Sequence, residues 1–298
     1  MASATCPVCS NNNTSIFIEG IKDVTFKTTT EEFNVYNCAD CSAKFQHPFI
    51  PENVVGKYYP TSYHPFQLGD TVIPLNLKYN PQSIYLRNLI SRYKPNETFS
   101  LIDIGCGGGT FLMSVKKHFP NAQLMGVDVS DAAIQNLKKA GIEGICDSLY
   151  NFETDKKFDY ISSSQVLEHL NKPYEFLDKI KSLSTAATII MIDVPASDSY
   201  SAKKYGKNWV HWDLPRHSIL YSIKTFQYLM KDFQTIELRH AGSIAAIFSS
   251  YKLSKDKDIY QQSASEKLFQ KTLSPLAKLF GWDFLFSDKL IWIGKLKS

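Results

Sequence analysis

Over much of the chain, short apolar runs alternate with stretches in which apolar residues recur at the spacing of one helical face. The runs have the near-continuous apolar character of parallel strands that are covered on both faces of a sheet. Between the first two runs, Phe111 to Phe119 places apolar residues on one helical face. This alternation predicts an α/β fold. The predicted strands are Leu101–Ile104, Leu124–Val129, Phe158–Ser162 and Thr188–Val194.

Residues with strong positional preferences predict where helices begin and end. Ser130 is a good N-cap and Gly141 a good C-terminal stop for the helix that follows the second strand. Ile134 and Leu137 would face the core from this helix. Pro173 is expected to begin another helix, because its fixed φ suits the first helical position.

A glycine-rich turn follows the first strand. Its glycines, which permit a sharp turn and a close approach to a ligand, are Gly105, Gly107 and Gly109. A dinucleotide-binding turn would have glycine at position 110, where Thr110 stands, so the pattern argues against NAD. Asp128 follows Gly109 by nineteen positions, the spacing at which a carboxylate meets ribose hydroxyls. The alternative is that Asp128 caps the next helix beside Ser130.

The segment from Asp103 to Gly109 resembles the acid-x-Gly-x-Gly-x-Gly motif of class I S-adenosylmethionine-dependent methyltransferases. Phe158–Ile161 with Val166–Leu170 is similar to the fourth strand and following helix of the small-molecule branch of that family. Gly206–Ser222 resembles a segment of bacterial methyltransferases from surface-polysaccharide pathways.

The resemblance implies a Rossmann-like, doubly wound sheet of seven strands with an antiparallel edge hairpin. Phe233–Leu238 and Lys289–Gly294 match that hairpin. A helix opened by Asn80-Pro81 and ended by Pro95-Asn96 would pack across the cofactor site, as the pre-sheet helix of the family does. The resemblance also assigns cofactor contacts: Asp103 to the methionine amino group, Val129 to the adenine face, Asp147 and Ser148 to the adenine edge.

Further site residues are expected at the carboxyl ends of strands, where parallel α/β folds bind ligands. Ser164 and Gln165 follow the fourth strand and are cofactor candidates. A hydroxyl acceptor also needs a base, and imidazole titrates nearest physiological pH. His169 and His217 are the candidates, although His169 could equally be a helix residue bonded to nearby backbone.

Four residues are predicted to bind the acceptor. Arg216 has the planar fork that grips a phosphate through two parallel hydrogen bonds. Trp209 and Trp212 would stack on a sugar or base, unless they belong to the core. Tyr63 lies in a linker punctuated by prolines and is expected to reach the same site.

Two Cys-x-x-Cys pairs near the N-terminus predict a structural zinc ion held by four thiolates. Ile16–Ile18 and Phe33–Tyr36 have the composition of strands and would form a ribbon between the pairs. The alternatives are disulfides, which a reducing compartment disfavours, and a redox pair, which normally lies beside a βαβ unit. The predicted ligands are Cys6, Cys9, Cys38 and Cys41, whereas Cys106 and Cys146 are expected to be free thiols.

These patterns divide the chain into a zinc ribbon (1–48), a linker with the pre-sheet helix (49–95) and a methyltransferase domain (96–298). The domain would carry a helical insertion at about 243–285, for which no resemblance is found. A hydrophobic fraction of 44% and a charged fraction of 21% are ordinary for a globular enzyme. No apolar run is long enough for a membrane span and no signal pattern begins the chain, so a cytoplasmic location is expected.

The favoured function is methyl transfer to a sugar or nucleotide-linked sugar in surface-glycan biosynthesis, with O-methylation favoured over N- or C-methylation. A ribosomal-RNA base methyltransferase with a zinc-ribbon module is the second hypothesis. It requires a basic ribbon, but residues 1–48 hold three lysines against five acidic residues. The net charge of +4 is also too small to indicate a nucleic-acid partner. A third hypothesis is a non-catalytic, cofactor-binding scaffold.

Overall fold

The computed structural model describes residues 4–60, 90–92, 98–242, 244–257 and 287–297. The strands are β1 (Thr14–Lys22), β2 (Glu32–Cys38), β3 (Lys44–Gln46), β4 (Ser100–Ile104), β5 (Gln123–Asp128), β6 (Glu143–Cys146), β7 (Tyr160–Ser164), β8 (Ile189–Pro195), β9 (Ile219–Leu220), β10 (Phe233–Gly242) and β11 (Ser287–Leu296). The α-helices are α1 (Glu52–Val55), α2 (Thr110–His118), α3 (Asp131–Lys139), α4 (Pro173–Leu183), α5 (Tyr200–Tyr205), α6 (Ile223–Leu229) and α7 (Ile244–Leu253).

The main sheet has seven strands in the order β10-β11-β8-β7-β4-β5-β6. The strands from β8 to β6 pair in parallel, and β11 pairs antiparallel with both β8 and β10. This confirms the predicted Rossmann-like sheet with its antiparallel edge hairpin. Because the chain passes from β4 to β5 on one side and reaches β7 on the other, the strand order reverses at β4. Ligands of doubly wound folds bind at the carboxyl ends of the strands at this reversal.

The helices beside the sheet begin where local chemistry predicts. Ser130 caps α3, because its hydroxyl accepts a hydrogen bond from the Ala133 amide at 3.3 Å. Ile134 and Leu137 on that helix are buried against the sheet. α4 begins at Pro173 and buries its apolar face in the core.

The N-terminal segment forms a second sheet, in the order β1-β2-β3-β9. β1 and β2 pair antiparallel, with Ile16 opposite Tyr36, as the hairpin pattern predicts. β3 then pairs with β9, a strand from the second half of the chain, with Phe45 opposite Ile219. Cys6 and Phe45 also belong to the same apolar cluster as Ile192 of the main sheet. The N-terminal segment is therefore built into the core rather than attached to its surface.

Some predictions fall on parts of the chain outside the described residues. Tyr63 and most of the expected pre-sheet helix are among them, although 90–92 is helical and Ile90 is buried. Of the expected insertion at 243–285, α7 forms the described beginning, and the residues from 258 lie outside the described ranges. Within the part of the chain described, every helix is too short or too polar for a bilayer span.

Candidate active site

The glycine turn after β4 is tight and closely packed. Gly105, Gly107 and Gly109 all have positive φ, at +71°, +49° and +75°. A Cβ atom added to Gly105 would lie 2.3 Å from Cγ2 of Val166, and one added to Gly109 would lie 2.2 Å from Cδ2 of Leu137. Glycine is required at both positions by backbone conformation and by space. The turn therefore contacts the segment that follows β7.

Asp128 holds this turn in place from the end of β5. One carboxylate oxygen accepts a hydrogen bond from the Gly107 amide at 2.8 Å, and the other accepts one from the Ser130 amide at 2.9 Å. Partial burial nevertheless raises the pKa of Asp128 above its usual value. The next residue, Val129, is 65% exposed although it is apolar. The Val129 side chain is therefore open to a ligand at this edge of the sheet.

Three more of the predicted cofactor residues lie near this edge. Asp103 is buried at the end of β4, where burial raises its pKa to about 7, and it accepts a hydrogen bond from the Ser162 hydroxyl at 2.6 Å. The Asp147 amide donates to the Asp128 carbonyl at 3.1 Å, which places Asp147 and Ser148 beside Asp128. The Asp147 carboxylate accepts from the Ser148 amide at 2.7 Å.

Across the strand reversal, Ser164 ends β7 and Gln165 turns the chain at a φ of +56°. The Gln165 side-chain amide donates to the Asp193 carboxylate at 3.1 Å, and Lys289 donates to the same oxygen at 3.1 Å. Sequence reasoning missed Asp193 and Lys289. An acid near the end of a buried strand was the available signal for Asp193.

The two predicted histidines meet although they come from distant segments. Their rings contact edge to face with centroids 4.6 Å apart. The Ser218 amide next to His217 donates to the Glu168 carbonyl at 2.7 Å, which joins the two segments. Glu168 completes the group, since one ligand atom from each of Glu168, His169 and His217 lies within 4.8 Å of the others. Glu168 was not predicted as a site residue, although it lies beside His169 in the segment Val166–Leu170, which resembles the family.

Burial sets the protonation of both histidines. It lowers the pKa of His169 to about 4 and that of His217 to about 3. Both imidazoles are therefore neutral near pH 7 but weak as general bases. The predicted role of either histidine as a base stays a prediction.

The predicted phosphate contact of Arg216 is wrong, because the side chain is 0% exposed. Its five N–H donors all have partners. Asp213 receives two hydrogen bonds at 2.7 and 3.0 Å, Asp23 receives two at 2.6 and 3.0 Å, and the Tyr58 carbonyl receives one at 2.9 Å. Arg216 thus joins the N-terminal hairpin to the loop before β9. No donor remains for a phosphate.

The two tryptophans also belong to the core rather than to an exposed stacking surface. Trp209 and Trp212 are 1% and 3% exposed and pack edge to face with centroids 5.3 Å apart. The Trp212 indole N–H donates to the Gly206 carbonyl at 2.8 Å. The predicted sugar contact is therefore wrong for both residues in this conformation, and the core alternative is correct.

The four N-terminal cysteines converge as predicted. The sulfur atoms of Cys6 and Cys41 lie 3.5 Å apart and those of Cys9 and Cys38 lie 3.4 Å apart, with all four within 4.8 Å. All four are free thiols, which excludes the disulfide alternative in this structure. A tetrahedral zinc with bonds of about 2.3 Å separates its sulfur ligands by about 3.8 Å. The four side chains therefore fit a zinc ion.

A protein-family profile described as a methyltransferase domain matches residues 76–235, more than half of the chain. The chain belongs to this methyltransferase family. Among the curated relatives, malonyl-(acyl-carrier protein) O-methyltransferase 2 of Ilyobacter polytropus is 23% identical over 46% of this chain and 54% of its own length. The mitochondrial ubiquinone biosynthesis O-methyltransferase of Dictyostelium discoideum is 26% identical over 40% of this chain and 46% of its own length.

This methyltransferase chain matches only about half the length of these curated relatives. Among solved structures, coclaurine N-methyltransferase bound to N-methylheliamine and SAH has a TM-score of 0.50 and 14% identity. The match covers 72% of this chain and 70% of that one. This likeness shows the same fold.

Proposed function

We propose that this methyltransferase moves a methyl group from S-adenosylmethionine to a hydroxyl oxygen of a small-molecule acceptor. The observation that carries the proposal is the edge formed by the tight glycine turn, the anchored Asp128 and the exposed Val129. This edge lies at the strand reversal, where doubly wound folds bind ligands.

We assign each of these residues to a different part of the cofactor. Asp128 retains lone pairs for ribose hydroxyls, Val129 offers an apolar surface to adenine, and Asp147 with Ser148 lies beside them. Asp103 would face the methionine amino group. When bound, the cofactor supplies a methyl group that is already a strong electrophile. The task of the chain is then to align acceptor and methyl group and to exclude water. We expect Ser164 and Gln165, at the end of β7, to border that space.

The choice of an oxygen acceptor rests on the Ilyobacter polytropus and Dictyostelium discoideum relatives, which are named as O-methyltransferases. A sugar or nucleotide-linked sugar from surface-glycan biosynthesis remains our more specific hypothesis. It now rests only on the resemblance of Gly206–Ser222, because Arg216 and both tryptophans are buried. Arg216 does contribute to the site, but as a positioning residue whose carbonyl contacts His169.

The four cysteines are proposed to hold a structural zinc ion, because four thiolates leave no open coordination position for a substrate. This ion would stabilise the N-terminal end of the second sheet.

Calorimetry with S-adenosylmethionine tests the cofactor site. Asp128→Asn should weaken binding by about tenfold or more, since hydrogen bonds to a charged group contribute about 1.5–3 kcal/mol. Asp131→Asn, which alters an exposed acid three residues away, is the matched control and should bind as the wild type does. Equal affinities for the wild type and Asp128→Asn would refute the assignment.

A turnover screen then tests the acceptor. It should compare nucleotide sugars, glycans, other hydroxylated small molecules and ribosomal-RNA fragments under the same conditions. Methylation of a hydroxyl on a small molecule is the expected result. Methylation confined to RNA would overturn it.

A further inference from the structure

Glu168 is a buried carboxyl group without a partner. It is 0% exposed, and neither side-chain oxygen has a hydrogen-bond partner among the described residues. Leaving such a group unsatisfied costs about 1–3 kcal/mol, and more if it is charged. A folded protein tolerates this where another group, such as a bound ion, satisfies the oxygens. The backbone carbonyl of Glu168, in contrast, accepts a hydrogen bond from the Ser218 amide at 2.7 Å.

The neighbouring histidines are oriented through their Nδ1 atoms. Nδ1 of His217 lies 2.8 Å from the His211 carbonyl, and Nδ1 of His169 lies 3.1 Å from the Arg216 carbonyl. A carbonyl can only accept, so Nδ1 of His217 carries the proton and its Nε2 keeps its lone pair. His169 has the same tautomer when its Nδ1 donates to the Arg216 carbonyl. This is the arrangement by which proteins orient metal-binding imidazoles. Tyr59 adds a contact between its hydroxyl and His169 Nδ1 at 2.9 Å.

Buried ion pairs surround this arrangement. Arg216, whose carbonyl faces His169, is itself fixed by Asp23 and Asp213. Asp213 also lies 3.9 Å from Nε2 of His217, so a carboxylate stands just outside the cluster. The cluster therefore combines a free carboxyl group, two imidazole lone pairs and a nearby negative charge.

We propose that Glu168, His169 and His217 bind a divalent metal ion through one carboxylate oxygen and the two Nε2 atoms. Ligand atoms about 2.1 Å from one ion lie about 3.0–4.2 Å from each other, and one ligand atom from each of the three residues lies within 4.8 Å of the others here. Three protein ligands leave coordination positions open, as in catalytic metal sites. A carboxylate and two imidazoles suit first-row ions such as Mn²⁺, Fe²⁺ or Zn²⁺.

The location indicates what this ion does, provided that the proposed methyl transfer is correct. Val166, two residues before Glu168, contacts the glycine turn at Gly105. The segment that carries Glu168 and His169 therefore begins beside the glycine turn. An acceptor hydroxyl bound to the ion becomes more acidic, as metal-bound water does. Its proton leaves to solvent, the oxygen forms a bond to the methyl carbon, and the carbon–sulfur bond breaks with its electron pair remaining on sulfur.

The test uses the full chain loaded with one equivalent of zinc, which the four soft thiolates bind first. Mn²⁺ is the probe, with the loss of the free-Mn²⁺ electron paramagnetic resonance signal as the readout. Soft thiolates disfavour Mn²⁺, so the cysteine site should not compete. The wild type should bind one Mn²⁺ per chain. Glu168→Gln, which keeps the shape of the side chain, should weaken binding by at least about tenfold. Glu175→Gln, a change to an exposed acid on α4, should have no effect.

Equal Mn²⁺ binding by the wild type and Glu168→Gln would overturn the proposal. Loss of Mn²⁺ binding in a Cys38→Ser variant that remains folded would also overturn it. A His217→Gln variant gives a second, independent test if Glu168→Gln fails to fold, and it should lose Mn²⁺ as well. Calorimetry with S-adenosylmethionine is run on the same samples. A protein that binds Mn²⁺ but not the cofactor would refute the proposed function alone, whereas one that binds the cofactor but not Mn²⁺ would refute the metal site alone.

Discussion

Asp23 joins the N-terminal hairpin to the rest of the protein, and replacing it should cost much of the stability. Its carboxylate accepts two hydrogen bonds from Arg216, at 2.6 and 3.0 Å. It also accepts bonds from the amides of Phe26 and Thr28 and from the Thr28 hydroxyl, at 3.1, 2.8 and 2.6 Å. Both charged side chains of the pair are 0% exposed. Asp23→Asn removes a charge that the buried guanidinium needs.

Removal of one partner from a buried ion pair typically costs about 3–5 kcal/mol. Asp213 still pairs with Arg216 in the variant, so we expect the lower end of that range. Equilibrium unfolding in urea, followed by circular dichroism, measures the free energy of unfolding. Glu32→Gln removes an exposed ion pair with Lys22 and should change this free energy by less than about 1 kcal/mol.

The pH dependence gives the same prediction a second readout. Burial alone would raise the pKa of Asp23, but hydrogen bonds from Arg216 and Thr28 outweigh it and lower the pKa to about 2. The unfolded pKa is about 3.9, so the stabilisation is complete above about pH 4 and is lost as the pH falls to 2. It amounts to roughly 2–3 kcal/mol. The free energy of unfolding of Asp23→Asn should therefore fall less than that of the wild type between pH 4 and pH 2. A variant as stable as the wild type, with the same loss of stability between pH 4 and 2, would refute the reasoning.

Three further predictions concern the glycine turn, the cysteines and a helix cap. Gly105→Ala forces a Cβ atom to 2.3 Å from Val166 at a φ of +71°, so calorimetry should show weaker S-adenosylmethionine binding, and an unchanged affinity would contradict the packing argument. Elemental analysis should find one zinc per chain, and Cys38→Ser should lower the zinc content and the melting temperature together, since a structural site supports folding; full retention of both would count against zinc ligation. Ser130→Ala should lower the free energy of unfolding by about 1 kcal/mol because the Ala133 amide loses its cap, and a change of under 0.3 kcal/mol would show that the cap contributes little.

Local sequence patterns predicted the parallel strands and the helices between them, whereas the seven-stranded sheet and its antiparallel edge hairpin were implied by the resemblance to class I methyltransferases. The near-continuous apolar run at Thr188–Val194 corresponds to β8, because a parallel strand covered on both faces has no polar side to display. The glycine turn and Asp128 were predictable for a similar reason, since backbone conformation and close approach restrict the allowed residues over a short stretch. The two cysteine pairs predicted their own convergence through their spacing.

Long-range contacts decided the environment of the predicted acceptor-binding residues. Arg216 looks like a surface phosphate ligand until the fold brings it to Asp23, 193 residues away. Trp209 and Trp212 are equally suited to a sugar surface or a core, and only their packing decides between the two. Glu168 was overlooked for the opposite reason: a glutamate is assumed to be solvated, and here the fold buries it beside two histidines. Local patterns specify strands, turns and caps because those depend on neighbouring residues, whereas burial and pairing of a side chain depend on which distant segments pack against it.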